Sequence, residues 1–408
     1  MGGGASKPAK AEVQPLGTAV SAKKPSIKVT EIDKSSTSGT PSTPKPIKDL
    51  KLYLTMYKDD ELELSHASGS EFTGTLTKNK LAVLKIIPPE VFLLCHLKEL
   101  NVSANDLRTL DPAIVNLEQL SKLDISQNHI VALPEELCQL KNLTSLIVSE
   151  NELTALPTAM GDLRALTQLI AFKNSITTLP NSIGGCTELE EINFFNNKLT
   201  ELGPGFPNLV GLVEMNIAGN GLMQMDPIPN LTRLKRCAAY LNRLRSFPDL
   251  NHCTELTQVQ LYRNQLKELP NMANLPNLTE LDANTNLLRQ IPDSLCTNLS
   301  LRMLNLRKNR LVALPPSIGQ LTGLEILNVG GNAISSPLPV EMKGLQGLLS
   351  LLLDESNLTV LPVELTDIKT LVRVDVGKRI DTSDATTTTV MKRLEEICVG
   401  NNGWLKQT

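Results

Sequence analysis

The sequence predicts a solenoid in which stacked α/β units share one curved parallel sheet, with short helical or 3-10 segments on the convex side. Three observations predict it. Asparagine recurs at Asn105, Asn128, Asn151, Asn174, Asn197, Asn220, Asn242, Asn264, Asn286, Asn309 and Asn332, always 22 or 23 residues apart. Around each Asn stands the frame L-x-x-L-x-L-x-x-N-x-L, first seen as Leu97, Leu100, Val102, Asn105 and Leu107. A twelfth copy (Leu348, Leu351, Leu353, Leu358) has Ser356 in place of Asn, and every apolar position of the twelve frames holds an apolar residue. The third observation is the second half of the unit, which reads L-P-x-x-[ILM]-x-x-L at Leu133-Pro134, Leu156-Pro157, Leu179-Pro180, Leu269-Pro270, Leu314-Pro315 and Leu361-Pro362. A period of this size cannot bury its apolar face alone, so stacking must supply a continuous core.

Each part of the frame has a physical role. Its leucines form a short strand with side chains turned inward. The Asn stands where the chain leaves the strand, and its amide can satisfy backbone groups of its own turn and of the neighbouring repeat. Pro suits the first position of a short helical turn, so helical or 3-10 segments are expected on the back of each unit.

The leucine-rich frame, with its Leu314–Leu321 segment (LPPSIGQL), resembles the intracellular Ras-group leucine-rich-repeat proteins over roughly residues 97–376. That group includes a scaffold joining a Ras-type GTPase to a protein phosphatase. The resemblance implies a signalling partner such as a small GTPase or a phosphatase.

Four segments are expected. Residues 1–49 read as a disordered Pro/Ser/Thr/Lys-rich tail, since few apolar groups are available to offset ordering entropy. Residues 50–94 read as an amino-terminal cap with strand-like Leu52-Tyr53-Leu54 and a degenerate copy at Leu76, Asn79 and Leu81. Residues 95–376 hold twelve repeats and a final strand at Leu371, Val374 and Val376. Residues 377–408 read as a helical carboxy-terminal cap: Thr382-Ser383-Asp384 starts a helix, Val390, Leu394, Ile397 and Cys398 share a face, and Gly400 stops it. The single Trp404 is expected to lie against the last repeat.

The chain carries a formal net charge of −3, but the first 49 residues hold eight Lys against four acids. The repeats are therefore acidic on balance, which argues against nucleic acid as a partner. Seven scattered cysteines form no C-x-x-C pair or Cys-rich cap, and read as small buried hydrophobes of a reducing compartment. Asn-x-Ser/Thr sequons such as Asn142-Leu-Thr follow from the repeat grammar. With no signal-peptide pattern or long apolar run, a cytoplasmic location is expected.

The chain opens Met-Gly-Gly-Gly-Ala-Ser, the pattern for N-myristoylation of Gly2, with Lys7 and Lys10 following. One acyl chain holds a membrane only marginally and the lysines are sparse, so a peripheral, reversible contact with the inner membrane surface is expected. Thr40-Pro41 and Thr43-Pro44 would suit proline-directed kinases. Lys28-Val29-Thr30-Glu31 lacks the aromatic of a phosphatase-docking motif and is rejected.

No catalytic pattern stands out. His66, His96, His129 and His252 are isolated, and neither H-E-x-x-H nor a phosphate-cradling Gly-rich loop is present, so a non-enzyme without cofactor or metal is expected. Function should lie at positions the repeat leaves free. Residues alternate faces along a strand, so frame positions 3, 5, 7 and 8 look out from the concave sheet. Position 7 runs Phe172, Phe195, Ala218, Tyr240, Tyr262, Asn284 and Arg307, and four of the chain's twelve aromatics stand in it. Ile147, Ile170, Leu241 and Arg263 stand beside them.

Exposed aromatics next to Arg are the usual material of binding hot spots, and a protein partner is expected at Ile147, Ile170, Phe172, Phe195, Tyr240, Leu241, Tyr262, Arg263 and Arg307. The competing reading is that the rings only stack on one another along the sheet. Charge is sorted as well: Glu150, Glu152, Glu191 and Glu214 lie in the first half, while Arg236, Arg243, Arg263, Arg307, Lys308 and Arg310 lie in the second. The expectation is a monomeric scaffold or adaptor in intracellular signalling. Its alternatives are a regulatory subunit or inhibitor of an enzyme such as a phosphatase, and a cytoskeletal or ciliary element. Truncating Phe195 and Tyr240 together is expected to leave the fold intact.

Overall fold

A computed structural model describes residues 58–65 and 83–408. Among the described residues fifteen short parallel strands run in chain order in one sheet, from β1 (Glu61–Glu63) through β2 (Glu99–Asn101) to β14 (Arg373–Val376) and β15 (Trp404–Gln407). Frame positions pair with their counterparts, as in Ser145↔Gln168 and Leu146↔Leu169, so each frame position becomes a column across the sheet. The apolar frame residues form one continuous core from Leu62 to Cys398.

The Asn ladder carries the polar side of the stacking. Asn128 Nδ2 donates to the Val102 carbonyl of the preceding repeat at 3.1 Å and to its own Ile125 carbonyl at 3.0 Å. Its Oδ1 accepts from Leu107 N–H at 3.0 Å. The pattern repeats to Asn332, which bonds Leu306, Val329 and Leu311 in the same way. All the ladder asparagines but the half-buried Asn220 are buried, so their amides close backbone groups that water cannot reach.

Position 8 is left-handed in repeat after repeat: Ala104, Gln127, Glu150, Lys173, Asn196, Leu241, Arg263, Thr285, Lys308 and Glu355 all have φ between 52° and 57°. The turn is needed because the inter-repeat ladder continues past the strand, as in Gln127 N–H to Ser149 O at 2.9 Å. Only Gly219, Gly331 and Asn196 are residue types at ease there.

The back of the solenoid departs from expectation in two ways. In most repeats proline precedes the 3-10 segment rather than opening it, although Pro112 and Pro316 do stand at the first position. Pro134, Pro180, Pro292, Pro339 and Pro362 sit in extended conformation, one residue before the segments, and the Pro134 carbonyl accepts from Leu137 N–H. No helical turn follows Leu269-Pro270: the 3-10 segments pause between Phe206–Asn208 and Asp293–Thr297. The Asn steps from Asn220 to Asn286 are the 22-residue ones, and the missing residue shortens the returning strand-to-strand segment.

At the amino-terminal end β1 extends the sheet, and Asn105 Nδ2 donates to Leu64 O at 2.9 Å while its Oδ1 accepts from Leu84 N–H. Leu62 and Leu64 thus stand in for a preceding repeat. The copy expected at Leu76, Asn79 and Leu81, the Leu52-Tyr53-Leu54 piece, and the tail with Gly2, Thr40 and Thr43 lie outside the described residues.

At the other end Asp384 caps α1 (Ala385–Gly400) by accepting from Thr387 N–H at 2.6 Å, and Thr387, Val390, Leu394 and Cys398 are buried under it. The cap is not helical throughout. After Gly403 the chain pairs with β14 as β15, and Arg373 lies over the Trp404 ring at 4.8 Å. Six cysteines are buried, but Cys95 is exposed because it sits in the turn after the Pro89–Leu93 segment. Among the described residues no helix is long and apolar enough to cross a membrane, and no cluster of potential metal ligands occurs.

Candidate partner-binding face

The concave face has a default side chain at position 5, and the places where it lapses define the candidate site. Asn101, Asp124, Asn193, Asn216, Asp282, Asn305 and Asn328 each accept from the backbone N–H two residues on, at 2.9–3.2 Å. A one-carbon arm holds the acceptor over that N–H. The rule lapses in two pairs of adjacent repeats, at Ile147 and Ile170, then at Ala238 and Gln260, and once more at Leu352, a single apolar residue in the last full repeat. Reading down that column would have found both sites from sequence.

The first lapse makes an aliphatic patch. Ile147 and Ile170 are register partners in β4 (Ser145–Ile147) and β5 (Gln168–Ile170), both half-buried. Phe172 follows on the same face, with Lys173 Nζ 5.9 Å from its ring centre and Lys173 held by Glu150 at 3.0 Å.

The second lapse makes an aromatic cluster separate from the main core. Ala218, Ala238 and Tyr240 are its buried members, with Phe195 and Tyr262 packed on them half-buried. The small Ala218 and Ala238 leave room for the Tyr240 ring to lie on the sheet. Tyr240 stacks on Tyr262 with centroids 4.3 Å apart, and Phe195 meets its other side at 6.1 Å, tilted by 45°. Burial, reinforced by the neighbouring Tyr262 hydroxyl, pushes the Tyr240 hydroxyl's pKa well up, and Tyr262 also titrates high.

Tyr240 is only 2% exposed. It supports Phe195 and Tyr262 rather than offering surface of its own, so truncating Phe195 with Tyr240 would disturb folding, contrary to the sequence-based expectation. Beneath the rings Gln260 is 1% exposed, and both its amide atoms lack partners. Its longer arm cannot take the place of Asn or Asp at position 5.

Leu241 is 39% exposed at φ 55°, a branched apolar side chain in a conformation that disfavours it, and neither packing nor backbone requires it. Arg263 is exposed at φ 54°. Arg307 is different: it is held by Asp354, and by Glu355 at 3.1 Å. Arg236 is likewise paired with Glu214. The expected charge division is therefore muted, because Arg236 and Arg307 are neutralised within the sheet. Glu280, Asp282 and Asp354 also add acids to the second half. Glu152 bonds His129 at 2.9 Å on the flank.

The family described as leucine-rich repeat region matches residues 84–290, and the one described as leucine rich repeat matches residues 299–358. The chain belongs to the leucine-rich-repeat proteins. Among solved structures, this leucine-rich-repeat protein resembles one from Leptospira interrogans at 26% identity, covering 87% of this chain and 99% of that one, with a TM-score of 0.62. It resembles PEPR1 in the structure of PEPR1-AtPEP1 at 28% identity and a TM-score of 0.60, covering 71% of this chain and 46% of that one. An internalin from Listeria monocytogenes shares the fold at 22% identity and a TM-score of 0.61, covering 70% and 82% of the two chains. A search of curated proteins returns no match.

The leucine-rich-repeat fold makes a protein-binding framework of this chain. Among the described residues no arrangement of nucleophile, base and orienting group accompanies it.

Proposed function

We propose that this leucine-rich-repeat protein is an intracellular signalling scaffold of the Ras group, non-enzymatic, which grips one protein partner on its concave face. The observation that carries the reading is Leu241, exposed and left-handed beside the Phe195–Tyr240–Tyr262 cluster. Apolar surface kept at a backbone cost, next to aromatic rings, is what a hot spot needs and what folding does not. The Ile147–Ile170–Phe172 patch supplies a second anchor, with Phe172 one strand from Phe195. A small GTPase or a phosphatase is the partner class that the Ras-group resemblance suggests.

The tail adds a membrane address in this reading: myristate on Gly2, with the scattered lysines giving weak support from anionic lipid, makes the protein cytoplasmic and peripherally attached. Co-expression with an N-myristoyltransferase tests this part, and an intact mass equal to that of Gly2→Ala, apart from the substitution, ends it.

The binding reading is tested by affinity purification of wild type against a Phe172→Ala, Leu241→Asn, Tyr262→Ala variant. The expected result is one stoichiometric partner kept by the wild type and lost by a variant that still unfolds cooperatively. An unchanged set of bound proteins would move the function away from this face.

A further inference from the structure

Several cations on the concave face are each paired with a carboxylate one repeat away or nearby. Lys122 is paired with Glu99, Lys173 with Glu150, Arg236 with Glu214, Arg307 with Asp354 and Glu355, and Arg373 with Asp375. The arrangement changes at the edge of the sheet where the chain turns out. From β8 (Arg236–Ala238) to β11 (Met303–Asn305), frame positions 7, 8 and 10 hold five cations and no carboxylate. Arg307 is one of the five. The other four, Arg243, Arg263, Lys308 and Arg310, are exposed and make no ion pair among the described residues.

The nearest acids on these strands, Glu280 and Asp282, stand at positions 3 and 5 and are already engaged. Glu280 accepts from Gln258 at 2.6 Å, and Asp282 accepts from Asn284 and Asn305. Arg263 and Lys308 also occupy left-handed backbone, at φ 54° and 52°, where a long side chain brings no folding benefit. The strip borders Leu241 and Tyr262, so unpaired positive charge adjoins the apolar surface.

We infer that the partner segment seated here is an acidic peptide in extended conformation, running across the strands with an apolar residue on Leu241 and Tyr262 and carboxylates on Arg263 and Lys308. The inference rests on the concave face being the binding site. Geometry sets the spacing. Arg263 and Lys308 are two strands apart, which is about 10 Å at the strand separation of a sheet. An extended chain advances about 3.3 Å per residue, so carboxylates roughly three residues apart would reach both. The charges face water on the rim, so they should govern encounter and salt dependence, while the apolar contact sets retention.

The test uses the full chain and fluorescein-labelled extended peptides that carry a leucine followed by glutamates three residues apart, with glutamine and lysine counterparts as controls. The glutamate peptide should bind in a salt-sensitive way, and Arg263→Ala with Lys308→Ala should weaken it roughly tenfold. Equal binding of the glutamate and glutamine peptides overturns the inference, as does retention only on phosphatidylserine vesicles. A separate comparison tells the two readings apart. If Leu241→Asn, Tyr262→Ala releases the natural partner but charge reversal at Arg243, Arg263, Lys308 and Arg310 does not, the acidic-segment inference fails and the binding face stands. If neither variant releases it, both fail.

Discussion

Tyr240 and Tyr262 stand at the same frame position in adjacent repeats, their rings stacked 4.3 Å apart and only 8° from parallel. One is buried and the other is half exposed, so the pair divides the work of the site. Tyr240→Ala should cost about 3 kcal/mol, as truncating a buried aromatic does, and Tyr262→Ala about 1 kcal/mol. Urea titration of both variants measures this. Equal losses would mean that the two rings share one role.

Leu241→Asn should raise stability by about 1 kcal/mol, because Asn tolerates a left-handed backbone better than a branched side chain does. The same change should weaken partner binding. A variant that is no more stable, or that binds as before, would remove Leu241 from the site.

Ser356 breaks the Asn ladder, and its hydroxyl is buried without a partner. By analogy with Asn332, an amide at this position would reach the Val329 carbonyl and the Ile334 N–H of the preceding repeat. Ser356→Asn should therefore stabilise the chain by about 1 kcal/mol, while Asn174→Ala, which strands buried backbone groups, should cost roughly 3 kcal/mol. Thermal melts of the two variants should move in opposite directions.

Burial raises the pKa of Asp282 above its ordinary 3.8, despite the hydrogen bonds it accepts from Asn284 and Asn305. The folded state then holds this proton more tightly than the unfolded state, so the group's contribution to stability falls as pH rises above 3.8 towards the raised value. Asp282→Asn should flatten that decline. Urea midpoints of the two proteins from pH 3 to pH 7 would show the gap between them shifting in favour of the variant as pH rises. A gap that does not change with pH would contradict the assignment.

Cys95 is exposed, whereas burial pushes Cys138 up to about 12 and Cys186, Cys253 and Cys398 up to about 11. A maleimide should modify one thiol quickly in the folded protein, with the rest following only on unfolding. Peptide mapping that finds Cys138 or Cys253 labelled first would show that the repeats open locally.

Sequence by itself determined the repeat, its register, the inward leucines, the Asn ladder and the helix after Asp384. Each of these follows from a side chain acting within one repeat or on its immediate neighbour, at a fixed offset along the chain. It also brought Phe195, Tyr240 and Tyr262 into one column, because strand alternation and an in-register sheet are enough for that. Tertiary structure alone decided which ring is buried, that Arg307 and Arg236 are spent on carboxylates, that position 8 is left-handed, and that Trp404 begins a fifteenth strand rather than ending a helical cap. Those outcomes depend on distances between repeats. Arg307 reaches Asp354 two repeats away, and Tyr240 is covered by rings on both sides. A one-dimensional periodicity specifies the columns, but how side chains share the space between columns is settled only once the repeats are stacked.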